Sequence, residues 1–375
     1  MGNTFITPTV VAKVGIAAFE NWLCMANLVH RDYSTEFRSI GDSLRIRKPS
    51  TLSTVEFDGD LTGEYQTITE SYTDVDMDTI ITVPVEVTQK ELTLDIVSFR
   101  QQVIDPAMRA MAQNVDYRLL GLYKDVPYFQ ATSGTTAISD FTAARKVLVD
   151  NQIPMGDPLN AVLSPLTSAS VLNIDTFHEA DKAGTSEGLR AARIGRVMGF
   201  DTWENQNVRT HTIGTTDLAA AIDNGAGYSE GDTTIHIDAL GTGTINEGTI
   251  ITIADNTGQY VVTEDSTISG NECDIKIYPG LNADVTDGDV VTIAPAATTS
   301  KENLMFHRNA FTMVTAPLAP PIGGALGATE SYRGLNLNVV YDFDSNKLKN
   351  KIIFSMLCGF KTLTPELACR FRDAS

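Results

Sequence analysis

Residues 303–311, NLMFHRNAF, place His307 and Arg308 between apolar neighbours. That setting suits either a catalytic pair exposed at a strand end or a polar turn between two strands. Other stretches carry the letters of chemistry without its context. GYSEG, residues 227–231, matches the G-x-S-x-G nucleophile elbow, yet DNGAG precedes it and a strand pattern follows, so Ser229 lacks the strand-then-helix frame that an elbow needs. His30, Arg31 and Asp32 spell the start of a kinase catalytic loop, but Phe37 stands where that loop places its metal-binding Asn, and no glycine-rich phosphate loop accompanies it. The expected alternative for His30 and Arg31 is a solvated helix end, where positive charge meets the carbonyl pole. Acidic turns around Asp255, Glu264 and Asp287 supply oxygen donors, but without the spaced D-x-D-x-D-G pattern of a calcium loop they read as solubilising turns. His30, His178, His211, His236 and His307 show no zinc-like spacing, and Cys24, Cys273, Cys358 and Cys369 form no CxxC pair. No cofactor and no metal is expected.

Composition narrows the function classes. The 375 residues are 42% hydrophobic, enough to bury two or three substantial cores. Acidic residues number 47 against 28 basic ones, a net charge of -19, and no cluster of Lys and Arg offers the counterion-releasing surface that binds phosphate backbones or anionic membranes. Four scattered cysteines are no disulfide framework, so a reducing cytoplasm is the default. Lys13 and Glu20 interrupt the apolar residues near the start, which argues against a signal peptide, and runs such as IIFSML fall short of the roughly 20 residues that cross a bilayer. A soluble protein is expected.

Positioning elements follow from periodicity. Thr7 and Pro8 open an amphipathic helix whose stripe is Val11, Val14, Ala18, Trp22, Met25 and Val29. Such an arm must be covered by its own subunit or by a neighbour. From Ser43 to Val87 strand-like alternation encloses a polar middle too poor in aliphatics for a core, which reads as a projecting two-stranded loop. Asp105 and Pro106 start the second part of a long helix with the stripe Met108, Met111, Ala112, Val115, Leu119 and Leu122, and residues 105–124 would span roughly 30 Å. A second helix is expected over Ser139 to Gln152, capped by Ser139 or Asp140, and LNAVLSP reads as a buried strand. Between Thr212 and Ser300 there are 14 acidic residues and one basic residue, Lys276, so this stretch carries -13 of the total -19. It also repeats a pattern of acidic residue, glycine and β-branched alternation: EGDTTIHI from Glu230, EGTIITI from Glu247 and DGDVVTI from Asp287. Each copy reads as a turn launching a strand, and together they predict a small antiparallel barrel or sandwich inserted in a host domain.

The order of segments, with QVIDPAMRAMAQNVD, NLMFHRNAF and GFKTLTPELACRF most alike and residues 212–300 least, resembles the major capsid proteins of tailed double-stranded DNA bacteriophages. The likeness is greatest to short-tailed-phage coat proteins with an inserted β-domain. It implies an α+β Hong Kong 97 type fold. An N-terminal arm would take residues 1–42, the extended β loop 43–90, and a peripheral domain with the spine helix 91–159. An axial domain would take 160–211 and 301–335 around the inserted β domain, 212–300, with peripheral C-terminal strands at 336–375. His307 and Arg308 would then fix a turn by hydrogen bonds.

The resemblance also implies a non-enzymatic shell subunit that assembles with itself into pentamers and hexamers. Portal, scaffolding and decoration proteins are its implied partners, and the double-stranded DNA it encloses would be held without sequence reading or any membrane. Location would be the virion capsid, after assembly in the host bacterial cytoplasm. Candidate intersubunit contacts are Trp22, Arg45, Arg47, Lys48, Asp58, Asp60, Glu64, Glu70, Asp74, Arg100 and Arg109. Some relatives weld their shells through a loop lysine, but no lysine lies between Pro49 and Gln89, so a shell without covalent cross-links is expected. Two other readings stand beside this one: an encapsulin-like compartment with an enzyme cargo, and a sugar- or calcium-binding module, residues 212–300, on a hydrolase.

Overall fold

The structure, a computed structural model, describes residues 8–31, 43–48, 52, 54–57, 65–68, 71–88, 99–132, 136–154, 156–179, 187–215, 218–293, 299–319, 321 and 326–374. By its internal contacts the chain divides into two units. One holds residues 1–21, 31–111 and 313–363, the other 22–30, 112–312 and 364–375.

The first unit is built on an antiparallel sheet ordered Phe311–Ala316, Lys349–Thr362, Leu335–Asp344 and Leu326–Tyr332. Thr79–Thr88 joins it, pairing with Lys349–Thr362 from Thr88↔Lys349 to Thr79↔Cys358. This stretch therefore belongs to a sheet and not to the projecting loop. The ribbon proper is Ser43–Lys48 against Ser71–Asp76. Its inward residues Ile46 and Val75 pack with Val314 and Leu363, which anchors the ribbon's base. The helix Pro8–Trp22 buries Val11, Ala12, Gly15, Ile16, Ala18 and Phe19. Gly15 permits the close approach, because a Cβ there would stand 3.0 Å from Leu337 Cδ2. The expected stripe is corrected at its end: the helix stops at Trp22, which is 49% exposed, and a separate turn, Met25–Leu28, follows.

The long helical run changes type along its length. A π turn, Arg100–Ile104, precedes the α-helix Asp105–Leu119, and a 3-10 stretch, Leu120–Asp125, ends it. Pro106 has no N–H to give to an upstream carbonyl, and the widened turn directly before it accommodates that missing bond.

The second unit centres on a mixed sheet ordered Phe129–Ala131, Ala368–Ala374, Thr299–His307, Leu159–Leu163, Phe200–Glu204 and Arg196–Val197, with Thr210–Thr212 also on Thr299–His307. All of Leu159–Leu163 is buried, as a two-face-covered strand should be. The helix Ile138–Asp150 lays Phe141, Ala144 and Leu148 on Phe371, Met305 and Phe200. Its N-cap is Ala137, not Ser139 or Asp140. Asp140 lies at the third helical position and its carboxylate accepts the Ala137 N–H at 2.8 Å.

Between Thr212 and Thr299 the chain forms a closed antiparallel barrel. Its order is Ala219–Ile222, Thr234–Asp238, Cys273–Tyr278, Tyr260–Val262, Ile250–Ile253 and Val290–Ile293, back to the first. The three repeats enter it as read. Gly231, Gly248 and Gly288 take φ of +92°, +87° and +85°, each just before a barrel strand. The turns need a left-handed residue, and only glycine adopts that conformation without a steric penalty.

Candidate functional site

The barrel is held to the seven-stranded sheet by a buried ionic joint. Strand alternation from Ala368 to Ala374 turns Arg370 and Arg372 to the same face, towards Ser300 and Glu302 on the neighbouring strand. Arg372 Nε donates to Glu302 Oε1 at 3.0 Å, and its Nη2 donates to Ser300 Oγ at 3.0 Å. Arg370 is fully buried and reaches outward from this strand. Its Nη1 donates to the Gly248 carbonyl at 2.6 Å and its Nη2 to the Lys124 carbonyl at 3.2 Å, with Glu302 Oε2 at 3.8 Å. Burial lowers the Arg370 pKa to about 10, opposed by Glu302, so the guanidinium remains charged at neutral pH. A planar fork whose two terminal nitrogens each donate to a carbonyl fixes the Gly248 turn in place.

His211 stands beside it. Thr249 Oγ1 donates to the Asn246 carbonyl at 2.6 Å, which leaves that hydroxyl as acceptor for His211 Nε2 at 3.1 Å. His211 Nδ1 then accepts from Tyr123 OH at 3.0 Å. The ring is neutral in this arrangement, and burial pushes its pKa down to about 4. Outside the buried cluster, Lys124 pairs with Glu247 at 2.8 Å, Gln259 accepts the Phe129 N–H at 3.0 Å, and Tyr278 OH donates to Glu366 at 2.9 Å. Sequence reasoning missed this joint because its members are scattered along the chain and because the last strand, expected to be exposed, is in fact buried from Ala368 to Asp373.

A second buried carboxylate organises the segment after the first helix. Asp116 accepts the N–H groups of Cys24, Met25 and Ala26 at 3.0, 3.0 and 3.4 Å, and Asn205 Nδ2 at 3.1 Å. These caps satisfy the start of the Met25–Leu28 turn. Burial outweighs them, and the Asp116 pKa is raised. Cys24 is pushed up to about 11 by burial and by that carboxylate, so it is an inert thiol.

The motifs weighed for catalysis resolve into turns. His307 is buried at the end of its strand; its Nδ1 accepts the Asn309 N–H at 3.2 Å and its Nε2 meets Asp157 at 3.2 Å. Arg308 begins the 3-10 turn that follows. Ser229 gives its N–H to Asp232 at 2.9 Å, and the strand Thr234–Asp238 follows it where an elbow requires a helix. His30 is no solvated helix end: its N–H donates to the Phe311 carbonyl at 3.1 Å, and its carbonyl accepts from Thr312 Oγ1. The barrel's acidic turns bind their own backbone. Asp284 accepts the Glu230 N–H, Asp265 that of Glu247, and Asp289 that of Thr286.

Of the proposed contact residues, Arg45 and Asp74 pair with each other, Nε to Oδ1 at 2.9 Å and Nη2 to Oδ2 at 3.1 Å, while Arg45 stacks 3.8 Å over Tyr72. The pair raises the arginine pKa and lowers that of the carboxylate. Arg47 and Arg109 are exposed, Trp22 is half-exposed, and Arg100 pairs with Asp105 at 3.5 Å. Lys48 ends the ribbon strand Ser43–Lys48. Asp58, Asp60, Glu64 and Glu70 lie outside the described residues. The structure adds an apolar set that the charge-based choice passed over. Phe57, Tyr65 and Ile68, between the ribbon strands, are 71%, 81% and 64% exposed, and Leu52 and Tyr72 are exposed as well. Their clustering in one otherwise polar stretch was the available signal.

Residues 239–370 match the P22 coat protein family, gene protein 5. The match takes in most of the barrel, the stretch where sequence likeness was expected to be weakest. The fold aligns with a chain from Mycobacterium phage Che8 at a TM-score of 0.52 and 15% identity, covering 93% of this chain and 90% of that one. The capsid structure of the cyanophage P-SCSP1u gives 0.49 and 12%, covering 90% and 85%. The mature capsid of bacteriophage PhiM1 gives 0.48 and 11%, covering 89% and 82%. The Che8 likeness establishes a shared fold, and the two below 0.5 are resemblances only. No curated protein matches the chain by sequence.

Proposed function

We propose that this chain, which has the α+β tailed-phage capsid fold and matches the P22 coat family over residues 239–370, is a major capsid protein that closes into an icosahedral shell around double-stranded DNA. The coat-family match and the fold support a structural, shell-forming role in a virion, and they do not favour the bacterial-compartment alternative. That family also points to a non-enzymatic role.

One observation carries the assembly reading. The two-stranded ribbon presents Phe57, Tyr65 and Ile68 to solvent, on a stretch with no core of its own. Apolar side chains exposed between the two ribbon strands are what a second copy would cover. In this reading the ribbon, residues 43–76, lies over a neighbouring subunit. The unit holding residues 313–363 and the Thr79–Thr88 strand serves as the peripheral domain in place of 91–159 with 336–375, and the unit holding residues 112–312 and 364–375 serves as the axial domain that carries the inserted barrel. The same patches repeat around five- and six-fold rings, so contacts that are individually modest close a strong shell. Trp22, Arg47, Arg100 and Arg109 are further contact candidates, with Arg45 and Asp74 stiffening the ribbon. Portal and scaffolding proteins complete the assembly in the host cytoplasm. A net charge of -19 suits a container whose packed DNA must slide, since the wall does not grip phosphates.

The test is negative-stain microscopy and sedimentation of the protein expressed alone or with the product of its upstream gene. Shells, polyheads or rings are expected. Phe57→Ser and Ile68→Ser should leave the subunit's melting temperature unchanged, as exposed substitutions do, while reducing the assembled fraction by roughly tenfold or more. A monomer at high concentration that turns over a substrate would overturn the reading.

A further inference from the structure

The outer face of the barrel gathers four donor groups at one point. On Thr234–Asp238, Ile235 and Ile237 face the core, so the alternation turns His236 outward. Register places Asp274 directly opposite it on the next strand, with Oδ1 2.7 Å from His236 Nδ1. The other ring nitrogen, Nε2, lies 3.6 Å from Glu272 Oε2 and 3.9 Å from Asp223 Oδ2. One ligand atom from each of Asp223, His236 and Glu272 falls within 4.8 Å of the others.

Their backbones are pinned. Asp223 donates its N–H to the His236 carbonyl at 3.1 Å, and Glu272 exchanges both backbone bonds with Ser269, at 3.0 and 3.4 Å. The donors therefore sit on three segments that the barrel itself holds in register. With Nδ1–H given to Asp274, the Nε2 lone pair points at two carboxylates. Three electron-rich atoms converging in this way make a place suited to a cation, either a proton on the imidazole or a metal ion. The carboxylates, Asp274 first, also raise the His236 pKa.

We propose that Asp223, His236 and Glu272 form a binding site for a divalent transition metal of the zinc type, with Asp274 orienting the imidazole. A tetrahedral ion with bonds of about 2.0–2.1 Å sets its ligands roughly 3.4 Å apart, so the observed spacings close by small rotations of half-exposed carboxylates. Imidazole nitrogen beside two carboxylates favours zinc over calcium, which takes six to eight oxygens. The carboxylate on the far ring nitrogen is the arrangement that fixes the tautomer of metal-binding histidines. A fourth position remains for water. Bound metal would staple the end of Ala219–Ile222, the His236 strand and the 269–272 turn, raising the stability of the barrel. The proposal rests on the barrel alone and is independent of the shell reading.

The test uses the full chain, dialysed against zinc chloride at pH 7.5 and then against metal-free buffer, with retained zinc measured per chain and the melting temperature recorded with and without zinc. Wild type should retain one zinc per chain and melt higher with it. His236→Gln should abolish both effects. Asp274→Asn, which leaves all three ligands in place, should weaken affinity roughly 10- to 100-fold. Glu272→Gln alters an exposed side chain, so it keeps the test valid if the histidine variant misfolds, and it should also lose retention. Magnesium chloride should produce neither effect. No retained zinc in wild type, or equal retention in the His236 and Glu272 variants as adventitious surface binding, would overturn the proposal, leaving a proton as the cation at His236.

Discussion

His211 is neutral and enclosed, and the chemistry of that choice has a measurable consequence. In the folded chain burial holds its pKa near about 4, whereas an unfolded histidine titrates near 6.5. As pH falls from 6.5 towards 4 the unfolded chain takes up a proton that the folded one refuses, so stability drops across that window and this group adds no slope above or below it. The group's share of the loss between pH 7.5 and pH 5 comes to about 2 kcal/mol. Urea unfolding of unassembled subunits at the two pH values should show it. His211→Gln, which can still bond Tyr123 and Thr249, should shrink the pH 7.5-to-5 difference by that amount; an unchanged difference would place the titration elsewhere. At this scale the sequence was legible where a motif's neighbours ruled chemistry out. Ser229 read as a turn residue from its flanks, whereas the flanks of His307 left a catalytic pair or a turn open and the family resemblance supplied the turn. The Arg370, Glu302 and His211 joint was not legible, because its partners are distant in the chain and a buried charge has no local signature.

Elements whose information is local were readable. Each acidic-glycine repeat states its own turn and its own strand, and all three were found in place. Two of these glycines separate conformational strain from steric conflict. Gly288 has φ of +85° with open space where a Cβ would go, so Gly288→Ala should cost about 1 kcal/mol through left-handed strain alone. At Gly248, φ of +87° is joined by a Cβ position 2.9 Å from Lys124 Cγ, on the turn whose carbonyl receives Arg370. Gly248→Ala should cost more, about 2–3 kcal/mol, and loosen the joint. Calorimetry of both variants gives the ranking, and equal costs would mean that the joint does not tighten this turn. Non-local information was the part the sequence withheld. Thr79–Thr88 alternates as a loop strand would, yet it pairs with Lys349–Thr362, a partner that no local pattern specifies. The first helix misled in the same way: Trp22 fits the stripe by spacing, but the helix ends there and the ring stays half-exposed.

At the scale of the whole molecule, the proposed shell would draw its strength from many copies, because the extended-loop segment lacks the amine that covalent welding needs. An isopeptide bond from the extended loop needs an ε-amino group, and no lysine lies between Pro49 and Gln89. What that loop does offer is apolar: Leu52, Phe57, Tyr65 and Ile68, all exposed in the single chain. Covering such side chains is worth about 25 cal/mol per Å² before the cost of association, and many copies acting together make the enclosure cooperative. Hydrophobic closure of this kind is dissolved by detergent, whereas amide cross-links survive it. Mature particles boiled in SDS should therefore run as a single monomer band, with no ladder above it. Intact particles should dissociate in urea at concentrations that covalently linked shells withstand. A ladder would show that a lysine outside residues 49–89 reaches a neighbour and that apolar contact is not the main closure.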